Sequence, residues 1–219
     1  MKTHGPLHID TFVEASFQEN GYLLWTEDGK DAWVLDPGFP PQPDQIVLAI
    51  KKRELTPTAI VITHGHPDHI AGVEALRGHY PALPIVAPRD EQHMLTDAHA
   101  NLSAHMGLNL VVPAADRLVS PDETLELGRL TFRTLRVAGH SPGGLAYFCA
   151  AAGVVFTGDA LFAGSIGRTD FPGGSADVLL DNIRKHLFSL PDDTVVYSGH
   201  GPATTIARER ATNPFLQGN

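Results

Sequence analysis

The sequence predicts an α/β fold, a single body in which strands and helices alternate, and three observations predict it. Short apolar runs rich in β-branched and aromatic residues, bounded by Gly, Pro and Asp, recur from residue 7 to residue 198. Segments of helical periodicity fall between these runs instead of gathering in a block of their own. The 219 residues, 42% of them hydrophobic, suffice for one ordinary core, and no repeat, low-complexity tract or linker divides them.

In chain order, LHIDTFVE (7–14), YLLWT (22–26) and AWVLD (32–36) read as consecutive strands. DPGFPPQPD (36–44), with four prolines and a glycine, reads as a loop, and QIVLAIKKREL after it has helical spacing. AIVIT (59–63) is the next strand, AGVEALRGHY (71–80) a short helix and IVA (85–87) a strand, while 89–108 is expected to be mostly helical. From there the pattern turns β-rich. LELGRLTFRTLRV (125–137) reads as a hairpin through Gly128, and LAYFCA (145–150) with VVFTG (154–158) as another strand pair. ADVLLDNIRKHLFSL (176–190) returns to helical spacing, and TVVYS (194–198) is the last strand.

Composition narrows the function classes. No segment approaches the roughly 18 uninterrupted apolar residues of a membrane span, and MKTHGPLHID has no signal-peptide core, so a soluble, cytoplasmic protein with no membrane partner is expected. Cys149 is the only cysteine and sits in an apolar strand, as a buried thiol would in a reducing compartment. A formal charge of -9, from 16 basic against 25 acidic residues with no Lys/Arg-rich run, argues against nucleic acid as a partner. Oligomeric state is not legible.

The chemistry concentrates in THGHPDH (63–69), directly behind an apolar strand. Alternate residues of an extended chain share a face, so His64 and His66 can aim at one point. Pro67 and Asp68 then turn the chain toward a helix that can bring Asp68 and His69 to the same locus from another direction. The bland alternative makes Asp68 a helix N-cap and the histidines solvated loop residues. Recurrence weighs against it: LRVAGHSPGG (135–144), VVFTGDALF (154–162) and VVYSGHGP (195–202) each end an apolar strand in a glycine followed by His140, Asp159 or His200. Such strand ends would line one rim of a sheet, where α/β proteins assemble sites from separate loops. Without a cation, two carboxylates gathered there would repel each other, and nitrogen and oxygen donors without thiolate suit zinc, with iron or manganese as alternatives.

THGHPDH resembles the H-x-H-x-D-H signature of the metallo-β-lactamase superfamily, and His140, Asp159 and His200 follow in that family's order. FTGDALFAGSIGRTDFPGG (156–174) and SGHGPATTIARERATNPF (198–215) are most similar to short glyoxalase II-like hydrolases, also called hydroxyacylglutathione hydrolases. The resemblance implies an αββα sandwich, two mixed β-sheets flanked by helices, spanning 1–219 as one domain with two divalent metal ions at one edge. His64, His66 and His140 would hold one ion, Asp68, His69 and His200 the other, with Asp159 bridging. It also implies hydrolysis of a small thioester such as S-lactoylglutathione, or a related ester or lactone, by a metal-bridging hydroxide that Asp68 helps to orient. A thiol leaving group, with a pKa of about 8.5, departs with little help from an acid.

The 19 residues beyond His200 are too few for the C-terminal helical domain that supplies glutathione contacts in full-length glyoxalase II. Arg168, in GSIGRTDF, matches a substrate-side position and could pair with a substrate carboxylate, or form a structural salt bridge. Asp36, in an Asp-Pro-Gly turn, could hold a ligating histidine from behind or simply make the turn. His93, His99 and His105 are spaced to face different directions on a helix and read as solvated. Met94, Leu95, Leu102, Met106 and Leu108 could pack in the core, cover the site's mouth or form a subunit contact. The alternative functions are a mononuclear iron persulfide dioxygenase of the same fold, a nuclease, and a non-catalytic metal-binding module.

Overall fold

The computed structural model describes residues 1–217. Its first sheet runs β1 (Lys2–His4), β2 (Leu7–Val13), β3 (Asn20–Thr26), β4 (Asp31–Leu35), β5 (Thr56–Val61), β6 (Ile85–Pro88) and β7 (Arg117–Val119), in chain order across the sheet. The first four strands are antiparallel, while β4 to β7 are mutually parallel and connected through α1 (Gln42–Arg53), α2 (Pro67–Ile70), α3 (Val73–His79) and α4 (Gln92–Thr96). The second sheet contains β8 (Thr124–Leu127), β9 (Leu130–Arg136), β10 (Leu145–Cys149) and β11 (Val154–Gly158). A small hairpin, β12 (Leu161–Phe162) with β13 (Ser165–Ile166), and helix α5 (Ala176–Asn182) then lead to β14 (Val195–Ser198), β15 (Thr204–Thr205) and α6 (Ile206–Thr212). The order across the second sheet is β15-β14-β11-β10-β9-β8, with β11 and β14 parallel and the other pairs antiparallel.

Side-chain alternation sorts the apolar residues into layers. In β3, Tyr22 and Leu24 face the second sheet, while Leu23 and Trp25 face the helices. Between the sheets Tyr22 meets Phe156 at 5.2 Å between ring centroids and Trp33 meets Phe132 at 5.0 Å. Outside the first sheet, Ile46, Val47 and Ile50 of α1 and Val73 and Leu76 of α3 cover Val34 and Ile60. Outside the second, Leu179, Ile183 and Leu187 cover Leu135, Val155 and Val196. The result is helix, sheet, sheet, helix, the αββα sandwich that the motif resemblance implied.

The β8–β9 hairpin turns where expected: Leu127 pairs with Leu130, and Gly128 takes φ 58°, a conformation costly for any side chain. Helix α1 starts inside the stretch read as a loop, because Pro43 falls in its first turn, where no N–H partner is lost. The expectation of a mostly helical 89–108 fails. Only Gln92–Thr96 is α-helical, flanked by 3-10 turns at Arg89–Glu91 and Ser103–Met106. Polar side chains capture the backbone instead: Asp97 Oδ1 accepts from the amides of His99 (2.8 Å) and Ala100 (3.3 Å), and Leu102 has φ 74°. Cys149 is buried, and burial pushes its thiol pKa up. Among the described residues no helix is long and apolar enough to cross a membrane.

Candidate metal centre

The strands β5, β9, β11 and β14 all end at one edge of the sandwich, and the polar residues that follow them converge there. After β5 the chain stays extended through His66, whose φ of -69° and ψ of 153° place it at the N-cap of α2, and Pro67 opens the helix. That cap makes no side-chain hydrogen bond, so Asp68 is not spent as a capping residue. Its Oδ2 lies 3.3 Å from His200 Nε2. Gly199 brings β14 close enough for this: a Cβ there would collide with Asp159 Oδ1 and His69 Cε1.

The seven side chains form three overlapping groups, His64 with His66 and His140, His64 with His69 and Asp159, and Asp68 with His69 and His200. Within each group one donor atom per residue lies within 4.8 Å of the others. His66 Nδ1 approaches His140 Nε2 at 2.9 Å, and Asp159 reaches both sides, with Oδ1 3.3 Å from His69 Nε2 and Oδ2 3.4 Å from His200 Nε2 and 3.6 Å from His140 Nε2.

Four of the five imidazoles are fixed from behind through Nδ1. His69 donates to Asp36 Oδ2 (3.0 Å), His140 to the carbonyl of Arg168 (2.8 Å), His200 to the carbonyl of Phe17 (3.1 Å) and His64 to Thr63 Oγ1 (3.1 Å), which itself donates to Asp36 (2.6 Å). Each therefore turns its Nε2 inward, the orientation a histidine ligand needs once that nitrogen is unprotonated. Asp36, whose role the sequence left open, is the partner of His69 and also accepts from the Thr63 amide at 2.7 Å. The Phe17 and Arg168 carbonyl contacts have no sequence signal, since they come from chain segments far from the histidines they hold.

Electrostatics divide the cluster. Burial, reinforced by His140, lowers the pKa of His66 to about 3, and burial with neighbouring imidazoles lowers that of His64 well below its ordinary value, so both are neutral donors. At His69 burial disfavours the charge, but Asp159, Asp68 and Asp36 outweigh it and raise the pKa. Burial likewise opposes the charge on His200, and hydrogen bonds to Asp159 and Asp68 raise its pKa to about 10. Asp159 stays ionised well below the carboxyl range because His69 and His200 offset its burial. His64 Nε2, His69 Nε2 and Asp159 Oδ1 are buried without a hydrogen-bond partner. Three orphaned donors converging among nitrogen and oxygen ligands fit divalent cations, which would satisfy them together.

The cluster opens into a cavity of about 410 Å³ walled by Phe17, Leu102, Met106, Phe162 and Phe171. Leu102 and Met106 thus face the mouth, whereas Met94 and Leu95 are core residues and Leu108 is exposed. Arg168 also lines the cavity, but its guanidinium pairs bidentately with Asp170, both contacts at 2.7 Å, and lies 3.9 Å from the Phe171 ring centroid. His93, His99 and His105 are exposed and apart from the site, as expected.

Residues 16–200 match the family described as the metallo-beta-lactamase superfamily. The hydroxyacylglutathione hydrolase GloC of Haemophilus influenzae is 34% identical over 96% of this chain and 98% of its own. Two crystal structures share the fold: BLEG-1 B3 metallo-beta-lactamase, with a TM-score of 0.90, 38% identity and coverage of 96% of this chain and 100% of that one, and TTHA1623 in a di-iron-bound form, with a TM-score of 0.83, 33% identity and coverage of 94% and 100%. With the family pattern spanning the whole ligand cluster and the layered fold repeated in these relatives, the chain belongs to the metallo-β-lactamase superfamily.

Proposed function

We propose that the protein is a dinuclear metal-dependent hydrolase of a small thioester such as S-lactoylglutathione, or of a related ester or lactone. The observation that carries this reading is the pair of donor groups on either side of Asp159, opening together onto one apolar-walled cavity. In it His64, His66 and His140 would hold one divalent cation and Asp68, His69 and His200 the other, with Asp159 within reach of both groups. Zinc suits these donors, and iron suits them too, as the di-iron form of the relative TTHA1623 illustrates. When bound, such a pair supplies Lewis acidity and lowers the pKa of water.

The chain's own groups do the rest. Asp68 Oδ2, beside His200 Nε2 and facing the cavity, would orient the attacking water. Phe17, Phe162 and Phe171 exclude bulk water from the reacting carbonyl. Among the described residues no serine or cysteine lines the cavity to act as a nucleophile. A thiol, with a pKa of about 8.5, leaves as thiolate with little help from an acid whereas an amine must be protonated, which favours thioester over amide substrates. The likeness to BLEG-1 makes β-lactam cleavage the second reading. The lone buried Cys149 supports a reducing, cytoplasmic setting.

The test is elemental analysis of the purified protein beside a hydrolysis screen of S-lactoylglutathione, other thioesters, lactones and β-lactams, with oxygen uptake on a glutathione persulfide as a separate arm. Two metals per chain and thioester turnover lost in His66→Ala are expected. One iron per chain with oxygen uptake would replace the hydrolase reading with an oxidoreductase.

A further inference from the structure

The loops that carry His66 and His140 belong to different sheets, and one buried carboxylate holds both. Glu91 closes the 3-10 turn after β6, the parallel neighbour of β5, and has no exposed surface. Its Oε2 accepts from the amide of Gly65, between His64 and His66, at 2.9 Å. Its Oε1 accepts from the amide of Gly143, three residues beyond His140, at 2.5 Å. Further back the sheets are also tied by Leu145 N to Thr63 O (3.0 Å) and Tyr147 Oη to Ile62 O (2.7 Å), but Glu91 acts at the histidines themselves.

We propose that Glu91 is a positioning residue for the cation held by His64, His66 and His140. By joining the Gly65 and Gly143 amides through one rigid carboxylate, it sets the separation of the two loops and hence the approach of His66 Nδ1 to His140 Nε2. The chemistry requires this residue type. Two N–H groups arriving from opposite sides need a side chain that accepts at both oxygens and donates at neither, and only a carboxylate does so. A glutamine would turn an NH₂ against one of the amides. Beside buried Met94 and Leu95, a residue kept for packing alone would be apolar, because burying a carboxylate is costly unless its partners are supplied. No partner of Glu91 belongs to the Asp68–His69–His200 group, so its influence should fall on one half of the centre.

This inference rests on the metal-binding reading above, and its test separates the two. Zinc affinity is measured on the full chain by competition with a chromophoric chelator, and cobalt(II) spectra are recorded for wild type, Glu91→Gln and Glu91→Asp. His66→Ala identifies the spectral component of the three-histidine site, and Leu187→Ala, in the outer layer of the second sheet, controls for general destabilisation. Glu91→Gln should weaken the three-histidine site by about 10- to 100-fold and leave the other within about twofold. Glu91→Asp, which keeps the charge but is one methylene short, should fall between, and it keeps the question open to decision if Glu91→Gln does not fold. Unchanged affinity in both variants, equal weakening of both sites, or the same loss in Leu187→Ala would overturn the positioning role. A wild-type protein that binds no cation would overturn the metal reading and this inference together.

Discussion

His69 sits between three carboxylates, Asp36 behind it and Asp68 and Asp159 in front, and its orientation depends on the first of these. Replacing Asp36 with Ala should therefore lower metal affinity at the Asp68–His69–His200 group by about 10- to 100-fold, as read by chelator competition, without moving the three-histidine site by a comparable amount. Glu19 gives a second prediction at this scale. It is fully buried with Oε1 unpartnered and only Gln42 Nε2 donating to Oε2 at 2.8 Å. Burial raises its pKa well above the carboxyl range, with Asp36 adding to the effect against the opposing charge of His69. A raised carboxyl pKa favours folding fully below the unfolded-state value of about 4.3, and that contribution is lost as pH climbs toward the folded-state value. Metal-free Glu19→Gln should accordingly gain in melting temperature over wild type on going from pH 5 to pH 8, by about 2–4 °C for each kcal/mol recovered. A constant difference between the two proteins across that range would exclude the assignment. The seven candidate ligands could be picked out of the sequence because each follows an apolar strand, five of them directly beside a glycine. Asp36 was ambiguous because an Asp-Pro-Gly turn accounts for it equally well. Glu91 was silent: its amide partners lie 26 and 52 residues away, and no local pattern marks such a contact.

At the scale of elements, the strands were the readable part, since β2, β3, β4, β5, β9, β10, β11 and β14 each carry an apolar run long enough to register. Strands of two or three residues, such as β7, β13 and β15, carry too little pattern and exist because a neighbouring strand pairs with them. Region 89–108 misled for the opposite reason, its helical spacing being overridden by side-chain-to-backbone bonds. Asn101 is the anchor of that region. It is fully buried, its Nδ2 donates to the carbonyls of Met94 (3.0 Å) and Leu110 (2.9 Å), and its Oδ1 accepts from the Ser103 amide (2.9 Å). Leu102 and Met106, which wall the cavity, hang from this clasp. Asn101→Ala should cost about 1–3 kcal/mol for each backbone group left unsatisfied, measured by urea unfolding, and should raise KM more than it lowers kcat because the wall, and not the donor cluster, is loosened. Faster amide exchange confined to residues 97–112 would accompany it; exchange rising equally throughout the chain would contradict the clasp.

At the scale of the whole molecule, two sheets meet face to face and deliver their strand ends to one edge, so that a single centre draws ligands from both. Cations bound there would tie the sheets together as well as neutralise Asp68 and Asp159. Stripping them with a chelator should lower the melting temperature by on the order of 10 °C at metal concentrations near a thousand times the dissociation constant, and readdition should restore it. The most direct measurement of the central claim is anomalous scattering from a crystal of the metal-loaded protein. Two peaks about 3.5–4 Å apart are predicted, one touching His64, His66 and His140, the other Asp68, His69 and His200, with Asp159 between them. A single peak, or none with the seven side chains unmoved, would contradict it.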